Sequence, residues 1–217
     1  MNVHSQTNPP NLGTRERIQE AAVELFSRHG FEVVSLRAIT EKAKANLAAV
    51  NYHFGSKQGL VEFVIEELVK PVNEERLRRL EAVESSGETT VRELLRAFFE
   101  PIITSMRIDE RSLRLSQHLM TRLFNQQPEP HTDRIVNYFR ETVERYLAAF
   151  SKAMPGVDLS EIFWRLHFSY GVVFNTALHP RILEKISGGR VSVSDDEHSL
   201  ERLLDFCEGG FFFGLKK

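Results

Sequence analysis

The chain has 217 residues, 41% of them hydrophobic, which can form the core of one large or two small domains and excludes a wholly disordered protein. Lysine and arginine number 28 against 30 aspartate and glutamate residues, so the formal net charge of −2 excludes a globally basic protein and confines any nucleic-acid contact to a local patch. The single cysteine, Cys207, excludes an internal disulfide and a multi-cysteine zinc site, and neither a metal nor another cofactor is expected.

The first residues, MNVHSQTNPPNLG, are polar and lack the apolar segment of a secretory signal, so we expect a loose N-terminal arm. No run of about 18 apolar residues occurs, so neither a membrane-spanning helix nor a membrane partner is expected. These features predict a cytoplasmic protein.

Apolar residues recur at helical spacing along almost the whole chain. This pattern predicts an all-α fold of about nine helices, with an N-terminal three-helix helix-turn-helix domain at 1–58 and a C-terminal helical bundle at 59–217. In the first helix, Thr14 is the expected N-cap and Gly30 the expected terminator.

The second helix is predicted to run from a cap at Ser35 to about Ala43, and the third from Leu47 to Phe54. Ser56 is expected to cap a long fourth helix that reaches about Glu84 and bends near Pro71. Further helices are predicted at about 89–106, 110–125, 132–153, 159–179 and 198–214, with a polar loop, SGGRVSVSDDE, before the last one.

The strongest functional signal is SLRAITEKAKANLAAVNYHFGSKQGL, residues 35–60, where two short helices joined by a tight turn precede an aromatic and basic cluster. In a helix-turn-helix the first helix braces the second, which presents one face to the major groove of DNA. We expect the bracing core to contain Leu36, Ile39, Ala43, Leu47 and Val50.

The other side chains of this segment have the chemistry needed to contact DNA bases and phosphates. Small alanines allow close approach and can touch thymine methyls, asparagine can pair with adenine, and the cations can neutralise phosphates. Helix N-termini add backbone donors. The predicted DNA-binding residues are Ser35, Arg37, Asn46, Ala48, Ala49, Asn51, Tyr52, His53 and Lys57.

The string NLAAVNYHFGSKQGL, preceded by LRAITEKAKA, resembles the signature of TetR-family transcriptional regulators over about residues 14–62. The resemblance implies a homodimeric repressor that binds near-palindromic double-stranded operator DNA and releases it when a small apolar effector binds the C-terminal domain. In its light, Tyr52 and Lys57 are phosphate clamps, whereas the base preference of Asn51 cannot be carried over. The variant is further similar to the fatty-acid-responsive PsrA-type subgroup, which favours a fatty acid or acyl-coenzyme A effector.

The resemblance also implies a ligand pocket in the C-terminal bundle, whose apolar side chains a plain core would equally explain. His118 and Arg122 stand four residues apart, so either can meet an acidic head group or have a surface role. The predicted ligand-binding residues are Phe99, Ile103, Met106, His118, Arg122, Phe139, Val143, Tyr170 and Phe174.

The helix EIFWRLHFSYGVVFNTAL is apolar on more than one face, which indicates burial against a partner subunit or within the monomer. The predicted dimer-interface residues are Phe163, His167, Tyr170, Phe174, Leu203, Phe206 and Phe211. No catalytic constellation is evident, so an enzyme is not expected. An activator or a ligand-requiring repressor remains open, as does an all-helical enzyme or lipid-binding protein that carries an incidental helix-turn-helix.

Overall fold

The computed structural model describes residues 13–87, 89–107, 110–124, 132–191 and 196–215, without the side chains of 106–107, 120–124, 132–135, 180 and 196–197. The predicted all-α fold is confirmed, since the described residues form helices joined by turns and contain no strand. The helices are α1 Thr14–His29, α2 Leu36–Ala43, α3 Leu47–Phe54, α4 Lys57–Ser85, α5 Val91–Arg107, α6 Glu110–Phe124, α7 Thr132–Ala153, α8 Leu159–Leu178, α9 Pro180–Ile186 and α10 Asp196–Phe212.

Two details differ from the sequence prediction. The described residues contain ten helices rather than about nine, because α9 begins directly after α8 with Pro180 at its first position. The N-cap of α1 is Gly13, so Thr14 is the first helical residue, and its hydroxyl accepts a hydrogen bond from Arg17. The N-terminal arm lies outside the described residues.

The chain divides into two compact units, and the division falls between Ile65 and Glu66 inside α4. In the first unit, α1 buries one apolar stripe, and α2 and α3 each contribute a short apolar face. Its buried hydrophobic residues are Ile18, Ala21, Ala22, Phe26, Phe31, Val34, Ile39, Ala43, Val50, Leu60, Val61, Val64 and Ile65. Leu47, expected in this core, is exposed at the start of α3.

The second unit is a helical bundle with one continuous core formed by α4, α5, α7, α8 and α10. Phe98 and Phe99 on α5 pack at its centre, where Phe98 meets the ring of Tyr146 edge to face at 4.8 Å. Arg92 on α5 donates hydrogen bonds of 2.6 Å to Glu201 and 2.8 Å to Glu208, which holds α10 against α5. Cys207 lies in this core, and burial raises the pKa of its thiol.

Candidate nucleic-acid interface and internal cavity

The turn between α2 and α3 is closed by backbone hydrogen bonds. The N–H of Ala45 donates to Thr40 at 2.9 Å and the N–H of Lys44 donates to Glu41 at 3.2 Å, which is the Schellman arrangement. Lys44 supplies the left-handed residue that this arrangement needs, with φ 49° and ψ 48°, and is the only non-glycine residue with positive φ among those described. The backbone itself therefore defines the angle at which α3 leaves α2.

Both helices of this motif begin at side-chain caps. The Ser35 hydroxyl accepts a hydrogen bond from the N–H of Ala38 at 3.2 Å, and Oδ1 of Asn46 accepts one from the N–H of Ala49 at 2.8 Å. Each cap satisfies one of the backbone N–H groups that a helix leaves unpaired at its start. In the structure the side chains of Ser35 and Asn46 cap helices, and their contact with DNA stays a prediction.

The third helix exposes one face and buries the opposite one. Val50 is fully buried beneath it, whereas Ala48, Asn51 and Tyr52 are exposed, with 85% of Tyr52 accessible. Positions three and four residues apart lie side by side on a helix, so these three side chains form one outer surface. The predicted readers Ala49 and His53 flank this surface and are half-buried. The edge of the Tyr52 ring meets the His53 ring at 5.0 Å.

The helices before and after α3 each carry a predicted DNA-binding cation. Arg37 is exposed in the first turn of α2. Lys57, at the start of α4, donates a hydrogen bond from Nζ to the backbone carbonyl of Glu32 at 2.9 Å. Because an ammonium group has three N–H donors, this bond positions Lys57 and leaves donors for a phosphate.

Sequence reasoning overlooked two arginines on α1 that position this unit. Arg17 donates from Nε to the carbonyl of Ala43 at 3.1 Å, which ties α1 to the end of α2. The Arg15 guanidinium lies 4.9 Å from the ring centroid of Phe63 and 5.9 Å from that of Phe54. In the sequence, both arginines could be recognised only as members of the polar face of α1. Their partners are more than 25 residues away, so no local sequence pattern indicates these contacts.

The second unit contains a partly open cavity, and the space between its walls is about 360 Å³ when the solvent at its mouth is included. Three predicted ligand-binding residues line it, namely Phe139, Tyr170 and Phe174, and the rings of Tyr170 and Phe174 stack at 4.1 Å. The other lining residues are Leu68, Val69, Val72, Ile102, Ser105, Ser116 and Leu119, none of which was predicted.

The remaining predicted ligand residues are placed elsewhere. Phe99 and Ile103 are buried in the core and Val143 packs against it, so the tight packing of the bundle removes all three from the cavity wall. His118 is half-buried on α6 and is not part of the wall either. The side chains of Met106 and Arg122 lie outside the described residues.

A fully enclosed arginine, also missed from the sequence, lies in the same unit. Arg76 on α4 is 1% exposed, and its guanidinium carbon lies 4.1 Å from the ring centroid of Phe98. Its Nε donates to the Phe98 carbonyl at 2.7 Å and its Nη1 to Oδ1 of Asn73 at 3.4 Å, whereas Nη2 has no hydrogen-bond partner. Burial lowers the pKa of Arg76 from its ordinary value.

Several large aromatic side chains of α8 and α10 are exposed. Trp164 stacks on Phe168 at 5.5 Å, with 55% and 62% of these residues accessible, and Phe206 on α10 is 67% accessible. We call the exposed set Phe163, Trp164, His167, Phe168, Phe206, Phe212 and Phe213 the aromatic face.

Four predicted interface residues lie outside the aromatic face. Phe211 is buried in the core of its own subunit and stacks on Phe150 at 5.0 Å, so its assignment to the interface is wrong. Tyr170 and Phe174 line the internal cavity instead. Leu203 is partly buried against the core.

Within the described ranges, no helix combines the length and apolarity needed to cross a membrane. Over the same residues, His, Cys, Asp and Glu side chains form no group of three that could hold a metal ion.

Comparison with known proteins identifies the family. Residues 18–64 match the model described as bacterial regulatory proteins, tetR family, and residues 96–210, more than half of the chain, match the tetracyclin repressor-like C-terminal domain. Both describe regulators and neither describes an enzyme. The regulatory protein RaaS of Mycobacterium tuberculosis is 44% identical over 84 residues, which span 37% of this chain and only 36% of RaaS.

Solved structures share the fold. SmeT, the repressor of the Stenotrophomonas maltophilia multidrug efflux pump SmeDEF, is 20% identical with a TM-score of 0.62, covering 90% of this chain and 88% of SmeT. The fatty acid degradation regulator FadR from Bacillus halodurans is 14% identical with a TM-score of 0.57, covering 93% of this chain and 99% of FadR. With both of its matched regions belonging to the same group of regulators, the chain is a member of the TetR family of transcriptional regulators.

Proposed function

We propose that this protein is a cytoplasmic, dimeric repressor that binds a near-palindromic operator and leaves it when a small apolar effector, of the fatty acid or acyl-coenzyme A class, enters the cavity. The outer surface of α3 carries this proposal. Its exposed Ala48, Asn51 and Tyr52 lie opposite the buried Val50, which is the arrangement that a recognition helix needs in the major groove.

The residue chemistry supports separate roles in DNA binding. The Asn51 amide can donate to and accept from one adenine edge, so it contributes sequence discrimination. Tyr52 and Lys57 reach backbone phosphates, so they contribute affinity for any sequence. Ser35 and Asn46 direct two helix N-termini, with their free N–H groups, toward the same backbone.

The aromatic face supports dimerisation. So many exposed aromatic rings on two packed helices are unusual on a monomer and are typical of an association surface. Self-association through one such face gives a twofold dimer whose two α3 helices read half-sites about 34–36 Å apart, or somewhat more. A palindromic operator follows from that symmetry.

The cavity supports ligand control through α4. Leu68, Val69 and Val72 on this helix contribute to the cavity wall, and the same helix begins with Lys57. An effector that favours one position of α4 shifts the population between conformations with different spacing of the recognition helices. Effector binding then weakens operator binding, and operator binding weakens effector binding by the same factor.

The test is operator binding by the full chain. A DNA site selected from a random duplex library is used in a mobility-shift assay with wild-type protein, Asn51→Ala and Lys57→Ala. Lys57→Ala is expected to weaken binding to all sequences and to reduce the salt slope by about one, whereas Asn51→Ala mainly relaxes discrimination at one base pair, by about 1–3 kcal/mol. Lys152→Ala, an exposed lysine on α7, is the matched control and should change neither quantity.

Three results would each contradict a part of the proposal. Unchanged DNA binding by both Asn51→Ala and Lys57→Ala would remove α3 as the reader. Unchanged operator affinity in the presence of fatty acids, acyl-coenzyme A thioesters and aromatic drugs would remove the ligand response, and a monomer in light scattering would remove the palindrome.

A further inference from the structure

The buried guanidinium of Arg76 lacks an anionic partner. Among the side chains that the structure describes, no carboxylate forms an ion pair with it, and the positive charge is met by a carbonyl, an amide oxygen at 3.4 Å, the Phe98 ring and the neutral phenol of Tyr170. Removing a charge from water without such a partner is costly. Two neighbouring arginines on α4 show the contrast, since Arg78 and Arg79 both donate to the Glu75 carboxylate at 2.7 Å.

Arg76 lies close to the cavity, although it is not part of the wall. It follows Val72 by one helical turn on α4, so the two side chains point to the same side of the helix. It also lies beside Tyr170, because its positive charge acts on the pKa of that phenol and both side chains adjoin the Phe98 ring. The ring centroids of Phe98 and Tyr170 are 6.4 Å apart.

The phenol of Tyr170 is a suitable second donor. Burial raises its pKa, so its hydroxyl keeps its proton at neutral pH and can donate a hydrogen bond. The wall around the rest of the cavity is mostly hydrocarbon and aromatic, with Ser105 and Ser116 as further polar members. The cavity is thus apolar over most of its surface, with the Tyr170 phenol in its wall and the Arg76 guanidinium next to that phenol but outside the wall.

We infer that the effector is a free carboxylic acid with an apolar tail, whose carboxylate accepts hydrogen bonds from Nη2 of Arg76 and from the Tyr170 hydroxyl. The inference rests on the proposed function, in that the cavity is taken as the effector site. A charge-assisted bond to a buried guanidinium supplies the partner that Arg76 lacks. Leu68, Val69 and Phe139 surround the tail.

This inference distinguishes free fatty acids from acyl-coenzyme A thioesters, which the proposed function treats as one effector class. An acyl-coenzyme A thioester has no carboxylate at the head of its acyl chain and cannot meet Arg76 in this way.

The first experiment uses wild-type full-length protein and isothermal titration calorimetry, without DNA. Straight-chain acids from hexanoic to dodecanoic acid are each compared with the alcohol and the methyl ester of equal length at neutral pH. At least one acid is expected to bind at least about tenfold more tightly than both of its neutral counterparts. Equal affinity of acid and alcohol, or no binding of any acid, would overturn the inference.

The second experiment assigns the preference to residues. Arg76→Met and Tyr170→Phe are expected to weaken binding of the acid, by at least about tenfold for Arg76→Met, without changing alcohol binding. Arg76→Lys keeps the charge and should retain part of the acid preference. Arg78→Met, which removes an exposed arginine two residues away, is the control.

The variants remain informative if one of them is unstable. Arg76→Met leaves the Phe98 carbonyl without its donor, so circular dichroism must first show a folded protein. If Arg76→Met is unfolded, the inference is tested with Arg76→Lys and Tyr170→Phe. An acid preference that is unchanged in both variants would contradict it. Because binding is measured without DNA, a failure of operator binding would sink the proposed function while leaving the acid preference to be judged separately.

Discussion

The cap at the start of α3 can be separated experimentally from any DNA contact that Asn46 makes. Asn46→Ala removes the hydrogen bond of 2.8 Å to the N–H of Ala49, whereas Asn46→Asp replaces the amide with a carboxylate that caps equally well. A carboxylate that faces phosphates is repelled. Asn46→Ala is therefore expected to be the more harmful substitution for stability, and Asn46→Asp the more harmful one for DNA binding.

The magnitude follows from the size of the helix. Loss of an N-cap side chain costs about 1 kcal/mol, which corresponds to about a fivefold increase in the open population. Because α3 has only 8 residues, the lost bond is one of few that hold its first turn. Asn46→Ala should thus reduce hydrogen-exchange protection of the peptide covering 47–54 about fivefold, and Asn46→Asp should leave it unchanged.

The DNA assay gives the complementary result. Asn46→Asp is expected to weaken operator binding more than Asn46→Ala does, and low salt should enlarge the difference because phosphate repulsion is then less screened. Ser35→Ala is the matched control, since it removes the cap of α2 and should leave the 47–54 peptide protected. Equal exchange protection in wild type and Asn46→Ala would refute the reasoning, as would undiminished operator binding by Asn46→Asp.

Three further predictions concern packing, pH and assembly. Gly59→Ala would place a Cβ atom 2.0 Å from the Phe54 carbonyl oxygen, so urea denaturation should show a loss of about 1–3 kcal/mol, while Gly171→Ala, with no atom within 4 Å, should show none. Hydrogen bonds from two arginines lower the pKa of Glu75 from 4.5 to about 2, so the stability it contributes is present above pH 4.5 and lost as the pH falls toward 2. Glu75→Gln should accordingly unfold more easily than wild type at neutral pH and equally easily near pH 2; a constant difference across that range would contradict this. Phe168→Asp should convert the proposed dimer to a monomer in light scattering and shift the emission of the single tryptophan to longer wavelength, and an unchanged mass would argue against the aromatic face as the interface.

The helix-turn-helix could be predicted from the sequence because its signals are local. Ser35, Asn46 and Ser56 are capping residues next to apolar periods, and each accepts the expected backbone N–H. The glycine at Gly55, with φ +75°, ends α3 where the chain needs a conformation that other residues rarely adopt. By contrast α9 has only 7 residues, too few to display a period, and Pro180 was its only clear sign.

The cavity could be predicted only in part, because periodicity indicates which residues are buried and not where packing leaves a gap. Phe99 and Tyr170 have equally apolar neighbourhoods in the sequence, yet one is in the core and the other lines the wall. The run Phe211-Phe212-Phe213 shows the same limit, since only the first ring is turned inward. Arg76 looked like one more charge in a polar stretch, and only its tertiary partners show that it is enclosed.

The turn at Lys44 has a consequence for how this regulator can diversify. Its left-handed backbone is held by two main-chain hydrogen bonds and owes nothing to the lysine side chain, which points into solvent. Glycine or asparagine would adopt the same conformation with less strain. A relative can therefore have another residue at this position. It would lose the positive charge before α3, while the angle between α2 and α3 would stay the same.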